Sequence, residues 1–192
     1  MALASMVAVS LSDAQVAVLR LEMPAAPVST GETITIPIVI DGVTNLGAFD
    51  VQVSFDPAIL KAEKVEAGPF LGSSGRQVNC PHVSADKGSV RLTCVTLGAT
   101  PAGPNGTGVL ATVVIKPVAA GTSPLRFERL QLTDPPAHLL VVQGEDSSLT
   151  VVRGSEDGFA WALWGPVIGV SALILVAAAV SAARWARRRR GP

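Results

Sequence analysis

The chain has no tyrosine, and its three tryptophans, Trp161, Trp164 and Trp185, all follow Phe159. The first 158 residues therefore offer neither of the flat, polar-tipped rings on which sugars commonly stack, which disfavours a carbohydrate-binding surface. There are only two histidines, His82 and His138, both beside prolines in segments read as surface loops. No HExxH, no nucleophile elbow and no glycine-rich phosphate loop is present, so the residues of the common hydrolytic and nucleotide-dependent chemistries are missing. Glu63 and Glu66 stand one helical turn apart near Lys61 and Lys64, and a solvated charged face accounts for them better than a glycosidase pair. Two cysteines with one neighbouring histidine fall short of a four-ligand zinc site. Asp50 and Asp56 belong to no calcium-type oxygen cluster. These absences read together as a non-catalytic chain with no cofactor and no metal.

Charge of one sign is also scarce where a nucleic-acid partner would need it. Up to Asp157 there are 10 Lys and Arg against 15 Asp and Glu, scattered and mildly acidic, so no basic footprint for nucleic acid exists. The balancing positive charge is confined to Arg184, Arg187, Arg188, Arg189 and Arg190. Between Asp157 and Arg184 lie 26 residues without a charge. As a helix such a run reaches roughly 39 Å, more than the ~30 Å hydrocarbon core of a bilayer. Tryptophans flank it at the depth where amphipathic rings settle, and the arginines place its C-terminal side in the cytoplasm. The apolar run that opens at Phe159 and closes at Ala183 is thus expected to be a single transmembrane helix. Residues 184–192 form a basic cytoplasmic tail and 153–158 a linker. The expected location is the cell membrane, single-pass, with the preceding domain outside. Residues 1–14 resemble an export signal that lacks its basic start.

Cys80 and Cys94 are the only cysteines. In an exported domain an isolated pair favours a disulfide, with free thiols as the alternative. The enclosed loop of about 15 residues would contribute around 3 kcal/mol by restricting the unfolded chain.

From residue 15 to 152 the apolar residues recur every second position. Ile34, Ile36, Ile38 and Ile40 alternate with Thr35, Pro37 and Val39. Phe49, Val51, Val53 and Phe55 alternate with Ala48, Asp50, Gln52 and Ser54. Each series is a strand with one buried and one wetter face. Pro37 cannot donate to a ladder, so its strand is expected at an edge or bulged there. Further strands are expected at 16–21, 89–95, 108–115, 125–132 and 149–152. Leu125 and Phe127 are out of phase with Leu130 and Leu132, which calls for a bulge near Glu128 and Arg129. Asp41-Gly42, Asp56-Pro57, Ala120-Gly121 and Asp134-Pro135-Pro136 supply turns. Asn105-Gly106-Thr107 has the form of a glycosylation sequon but reads as another turn. Many short strands with frequent turns make an all-β sandwich of two sheets.

Gly31-Glu32-Thr33, Asn45-Leu46-Gly47-Ala48-Phe49 and Phe55-Asp56-Pro57-Ala58-Ile59-Leu60 follow one another with spacing that resembles the opening of a cohesin domain. Gly108-Val109-Leu110-Ala111 and Ala119-Ala120-Gly121-Thr122-Ser123-Pro124-Leu125 resemble its later part. The resemblance spans about residues 16–152 and implies a jelly-roll β-sandwich of about nine strands. It further implies a protein partner, since cohesins bind dockerins, calcium-loaded helical modules often carried by polysaccharide-degrading enzymes. Asp50 matches a frequent contact position of the family, while the neighbouring Asn of cellulosomal members is Ala48 here. The chain itself carries no dockerin calcium loop.

The expected function is a membrane-anchored, cell-surface protein-binding module. Its partner would sit on Asp50, Gln52 and Ser54, which share the solvent-facing phase of one strand. A carbohydrate-binding module for surface polysaccharide and a structural or adhesive surface domain are the competing readings.

Overall fold

A computed structural model describes residues 16–98 and 100–154. The chain divides into two units, Met1–Gly154 and Ser155–Pro192, and every described residue belongs to the first. The expected transmembrane helix, tail and export signal lie outside the described residues. Among the described residues no helix is long and apolar enough to cross a membrane.

Among the described residues twelve strands follow in order. They are β1 (Ala17–Leu21), β2 (Val28–Ser29), β3 (Ile34–Val43), β4 (Ala48–Ser54), β5 (Leu60–Ala67), β6 (Gln77–Asp86), β7 (Ser89–Leu97), β8 (Gly106–Pro117), β9 (Gly121–Thr133), β10 (Leu139–Leu140), β11 (Val142–Glu145) and β12 (Ser147–Val152). One sheet has the order β11-β1-β3-β8-β5. The other has the order β2-β12-β9-β4-β7-β6, with β10 on β9. The all-β, sandwich-like architecture is as the alternation requires. The count exceeds nine through pieces as short as β2 and β10.

The two sheets share one apolar core. Leu19, Ile36, Ile40, Phe49, Leu60, Leu92, Leu110, Ile115, Leu125 and Leu132 are almost wholly removed from water. Phe49, Val51 and Val53 fill the inner face of β4, and Phe55 follows at the turn. There the Asp56 carboxylate accepts the Ala58 N–H at 2.8 Å, and the Asp56 carbonyl accepts the Leu60 N–H at 2.9 Å. Asp-Pro thus turns the chain so that Phe55 and Leu60 can both point inward.

Four local expectations need correction. β3 is not an edge strand, because β1 and β8 flank it. Its register with β8 shifts between Ile38 and Val39, one residue from Pro37, so the bulge half of the expectation holds. The Glu22 N–H donates to the Pro37 carbonyl at 2.9 Å, just past the end of β1, so the missing proline donor falls where that ladder stops. Val39 is buried rather than wet, on the side opposite the core, with Arg20 and Val109 as its cross-strand neighbours. Residues 60–67 are a strand, not a helical turn carrying Glu63 and Glu66. A bulge between Ala62 and Lys64 spaces the inward residues Leu60, Ala62 and Val65 by two and then three, which imitates a helix. Finally, His82 lies on β6 and not in a loop, although it is exposed.

Candidate partner-binding face

The expected site strand, β4, is central in its sheet, with β7 on one side and β9 on the other. Its outward residues are Ala48, Asp50, Gln52 and Ser54, all partly exposed, so the three expected contact residues do share one open face. The ladder registers extend this face into four rows. Leu139, Thr133, Ala48, Val95 and Asn79 form the first, and Gln131, Asp50, Thr93 and His82 the second. Arg129, Gln52, Arg91 and Ser84 form the third, and Arg126, Ser54, Ser89 and Asp86 the fourth. Directly opposed residues of an antiparallel pair project to the same side, so each row is a contiguous strip of surface.

Asp50 does not stand alone in this face. Arg91 Nε donates to its Oδ1 at 2.9 Å and Arg91 Nη2 to its Oδ2 at 2.7 Å. Thr93 Oγ1 donates to Oδ1 at 2.9 Å, and Arg129 Nε stands 3.7 Å from Oδ2. The hydrogen bonds from Arg91 hold the carboxyl below its ordinary pKa. Partial burial pushes the other way, while Thr93 and the charges of Arg91 and Arg129 add to the lowering. With its side chain only 14% exposed, Asp50 is chiefly an organiser of neighbouring arginines. Ser54 is also engaged, donating to Glu128 Oε1 at 2.7 Å. Glu128 is the extra residue of the expected β9 bulge, at the register shift opposite Gln52 and Val53.

The end of the face near Ala48 is fixed by two loops that cross. Asn45 adopts a left-handed backbone (φ 53°) and accepts the Gly103 N–H on its side-chain oxygen at 2.7 Å. Its own N–H donates to Asn105 Oδ1 at 2.7 Å, so the sequon asparagine serves the loop junction as a turn residue. A Cβ on Gly103 would stand 2.1 Å from the Leu46 carbonyl oxygen, and one on Gly47 2.4 Å from the Asp134 backbone. Only glycine permits both approaches. Below them Arg76, 5% exposed, donates from Nε to Thr96 Oγ1 at 2.8 Å and from its terminal nitrogens to the carbonyls of Pro101 and Gly98. Thr96 Oγ1 passes the connection to the Gly47 carbonyl at 2.9 Å. Ala48, next in the chain, therefore sits on a braced platform. Its small side chain helps leave a dent of about 140 Å³, bordered by Asp50, Val95, Gln131 and Thr133.

Cys80 and Cys94 are joined in a disulfide, with Cα atoms 4.0 Å apart. The register between β6 and β7 shifts between Asn79 and His82, so Cys80 and Pro81 together oppose Cys94. The bulge turns the Cys80 side chain toward the core, where Cys94 is fully buried.

The outward phase of β4 is legible in the sequence, whereas the places of Arg91, Thr93, Arg126, Glu128 and Arg129 on this face emerge only from the strand registers. Arg91 and Thr93 do alternate with the buried Val90, Leu92 and Cys94, which was the available signal for their side of the sheet. Comparison with known protein families matches residues 19–134 to the cohesin domain, and the chain belongs to the cohesin family. Among solved structures, a non-cellulosomal cohesin from the archaeon Archaeoglobus fulgidus is similar at 15% identity and TM-score 0.57, over 73% of this chain and 94% of that one. A type I cohesin from Clostridium thermocellum, solved in a cohesin–dockerin complex, is similar at 12% identity and TM-score 0.61, over 73% and 96% of the two chains. The seventh ScaB type I cohesin of Pseudobacteroides cellulosolvens is similar at 16% identity and TM-score 0.59, over 76% and 97%. No curated protein matches this chain.

Proposed function

We propose that this protein is a non-catalytic receptor that captures a dockerin-bearing protein on the outer face of the sheet centred on β4 and holds it at the cell surface. The observation that carries the reading is the cohesin match across residues 19–134, a family with a member solved in a dockerin complex. The face itself suits a protein partner, being open, braced at one end and built from directly opposed side chains rather than from a deep pocket. The uncharged run from Phe159 to Ala183 and the five arginines after it support a membrane anchor with the cohesin domain outside. Tethering would make a captured partner's second contact at the membrane effectively intramolecular. A link to polysaccharide catabolism would come through the partner's catalytic domains.

The test is capture by the full chain, in detergent, from the secreted proteins of its own organism, with the Ala48→Arg variant alongside. Dockerin-bearing proteins should be retained by the wild type and released by the variant. Retention of polysaccharide and of no protein would overturn the reading. Protease added to intact cells should remove the cohesin domain, and its protection would refute the orientation.

A further inference from the structure

We propose that Asn105 is a modification site that carries an N-linked glycan on its side-chain nitrogen. This rests on the export of the domain proposed above and is separate from the choice of partner.

Asn105-Gly106-Thr107 is the only Asn-x-Ser/Thr triplet in the chain. The turn role of Asn105 uses one side of its amide and leaves the other free. A backbone N–H needs an oxygen, so the 2.7 Å bond from the Asn45 N–H turns Oδ1 toward the loop junction and Nδ2 away from it. Among the described residues Nδ2 has no hydrogen-bond partner. All three residues of the triplet are exposed, and a Cβ on Gly106 would meet nothing within 4 Å. Glycosylation substitutes the nitrogen and keeps the carbonyl. The bond to Asn45 therefore survives it, and with it the bond from the Gly103 N–H to Asn45 Oδ1.

The donor is a sugar carried on a lipid pyrophosphate. Nδ2 attacks the anomeric carbon, and a C–N bond forms as the C–O bond to the pyrophosphate breaks. The lipid pyrophosphate leaves, and a base of the transferase takes one proton from the nitrogen. In the folded chain Gly106 is paired with Val43, and the Thr107 hydroxyl donates to Asp41. A transferase has to read that third residue, so transfer precedes the closing of β8 on β3. The sugar then stands at the Val43 end of β3, over the junction of the two crossing loops. Gly154, whose N–H donates to Thr30, lies near the Ile34 end, and the length of β3, about 30 Å, separates the two.

Peptide mass mapping of the full chain, extracted in detergent from its own organism, tests this. The peptide containing Asn105 should carry sugar in the wild type and in Thr107→Ser. It should carry none in Thr107→Ala, which leaves the Asn105 amide intact. Asn105→Asp should also carry none, while keeping an oxygen for the Asn45 N–H and so the loop junction. A sugar that persists in Thr107→Ala or Asn105→Asp would lie on another atom and overturn the proposal. An unmodified Asn105 in a domain that protease removes from intact cells would overturn it and leave export standing. An unmodified Asn105 in a protected domain would overturn both.

Discussion

Arg91 grips Asp50 diagonally across the β4–β7 ladder, with two hydrogen bonds of 2.9 and 2.7 Å, although the residue directly opposite Asp50 is Thr93. The diagonal reach joins the second and third rows of the face and sets the orientation of a guanidinium that would otherwise be free to rotate. Such two-pronged pairing of an arginine with a carboxylate adds geometric constraint as well as energy.

Asp50→Asn should therefore change the pH dependence of stability. The folded-state pKa of Asp50 is lowered, chiefly by the Arg91 hydrogen bonds. Its contribution is fully present above the unfolded carboxylate value of about 3.9 and is lost as pH falls below that toward the folded value. Melting temperatures should differ most between wild type and Asp50→Asn near neutrality and converge in strong acid. A constant gap between the two across that range would show that ionised Asp50 gives the fold nothing.

Breaking the Cys80–Cys94 bond, which closes a separation of 14 residues, should cost about 3 kcal/mol. Urea unfolding of the Cys80→Ala/Cys94→Ala variant measures it. Alkylation of the native, unreduced protein should label neither sulfur, and two reactive thiols would refute the bond.

Arg76→Met should destabilise by roughly 2–4 kcal/mol, because the Thr96 hydroxyl and the carbonyls of Gly98 and Pro101 each lose a buried donor. The damage should show in binding too, since Thr96 steadies Gly47 beside Ala48. Chemical denaturation with parallel capture assays separates the effects. A loss below about 0.5 kcal/mol would mean that water replaces the guanidinium.

What could be read from the sequence follows a physical division. β3, β4 and the β9 bulge were legible because alternation is local and a phase slip within one strand is visible in that strand alone. β5 was hidden because its bulge converted a period of two into a spacing of three. β6 was hidden because an edge strand buries little, and its pattern carries few inward apolar residues. Of the site, the outward phase of Asp50, Gln52 and Ser54 was legible. The pairing of Asp50 with Arg91 was not, because register between strands 41 residues apart is decided by the packed core and the turns between them.

The two-residue period of β4 keeps two records on one short segment. Phe49, Val51 and Val53 answer to the core, while Ala48, Asp50, Gln52 and Ser54 answer to whatever approaches from outside. Substitutions in the second set leave the core side chains of the first in place, so the outer face can change while the inner packing is kept. A single inserted residue, by contrast, would exchange the two sets along the rest of the strand. Lineages built this way should diverge freely at alternate positions and almost never in length, a bias that a collection of β4 segments from relatives would display directly.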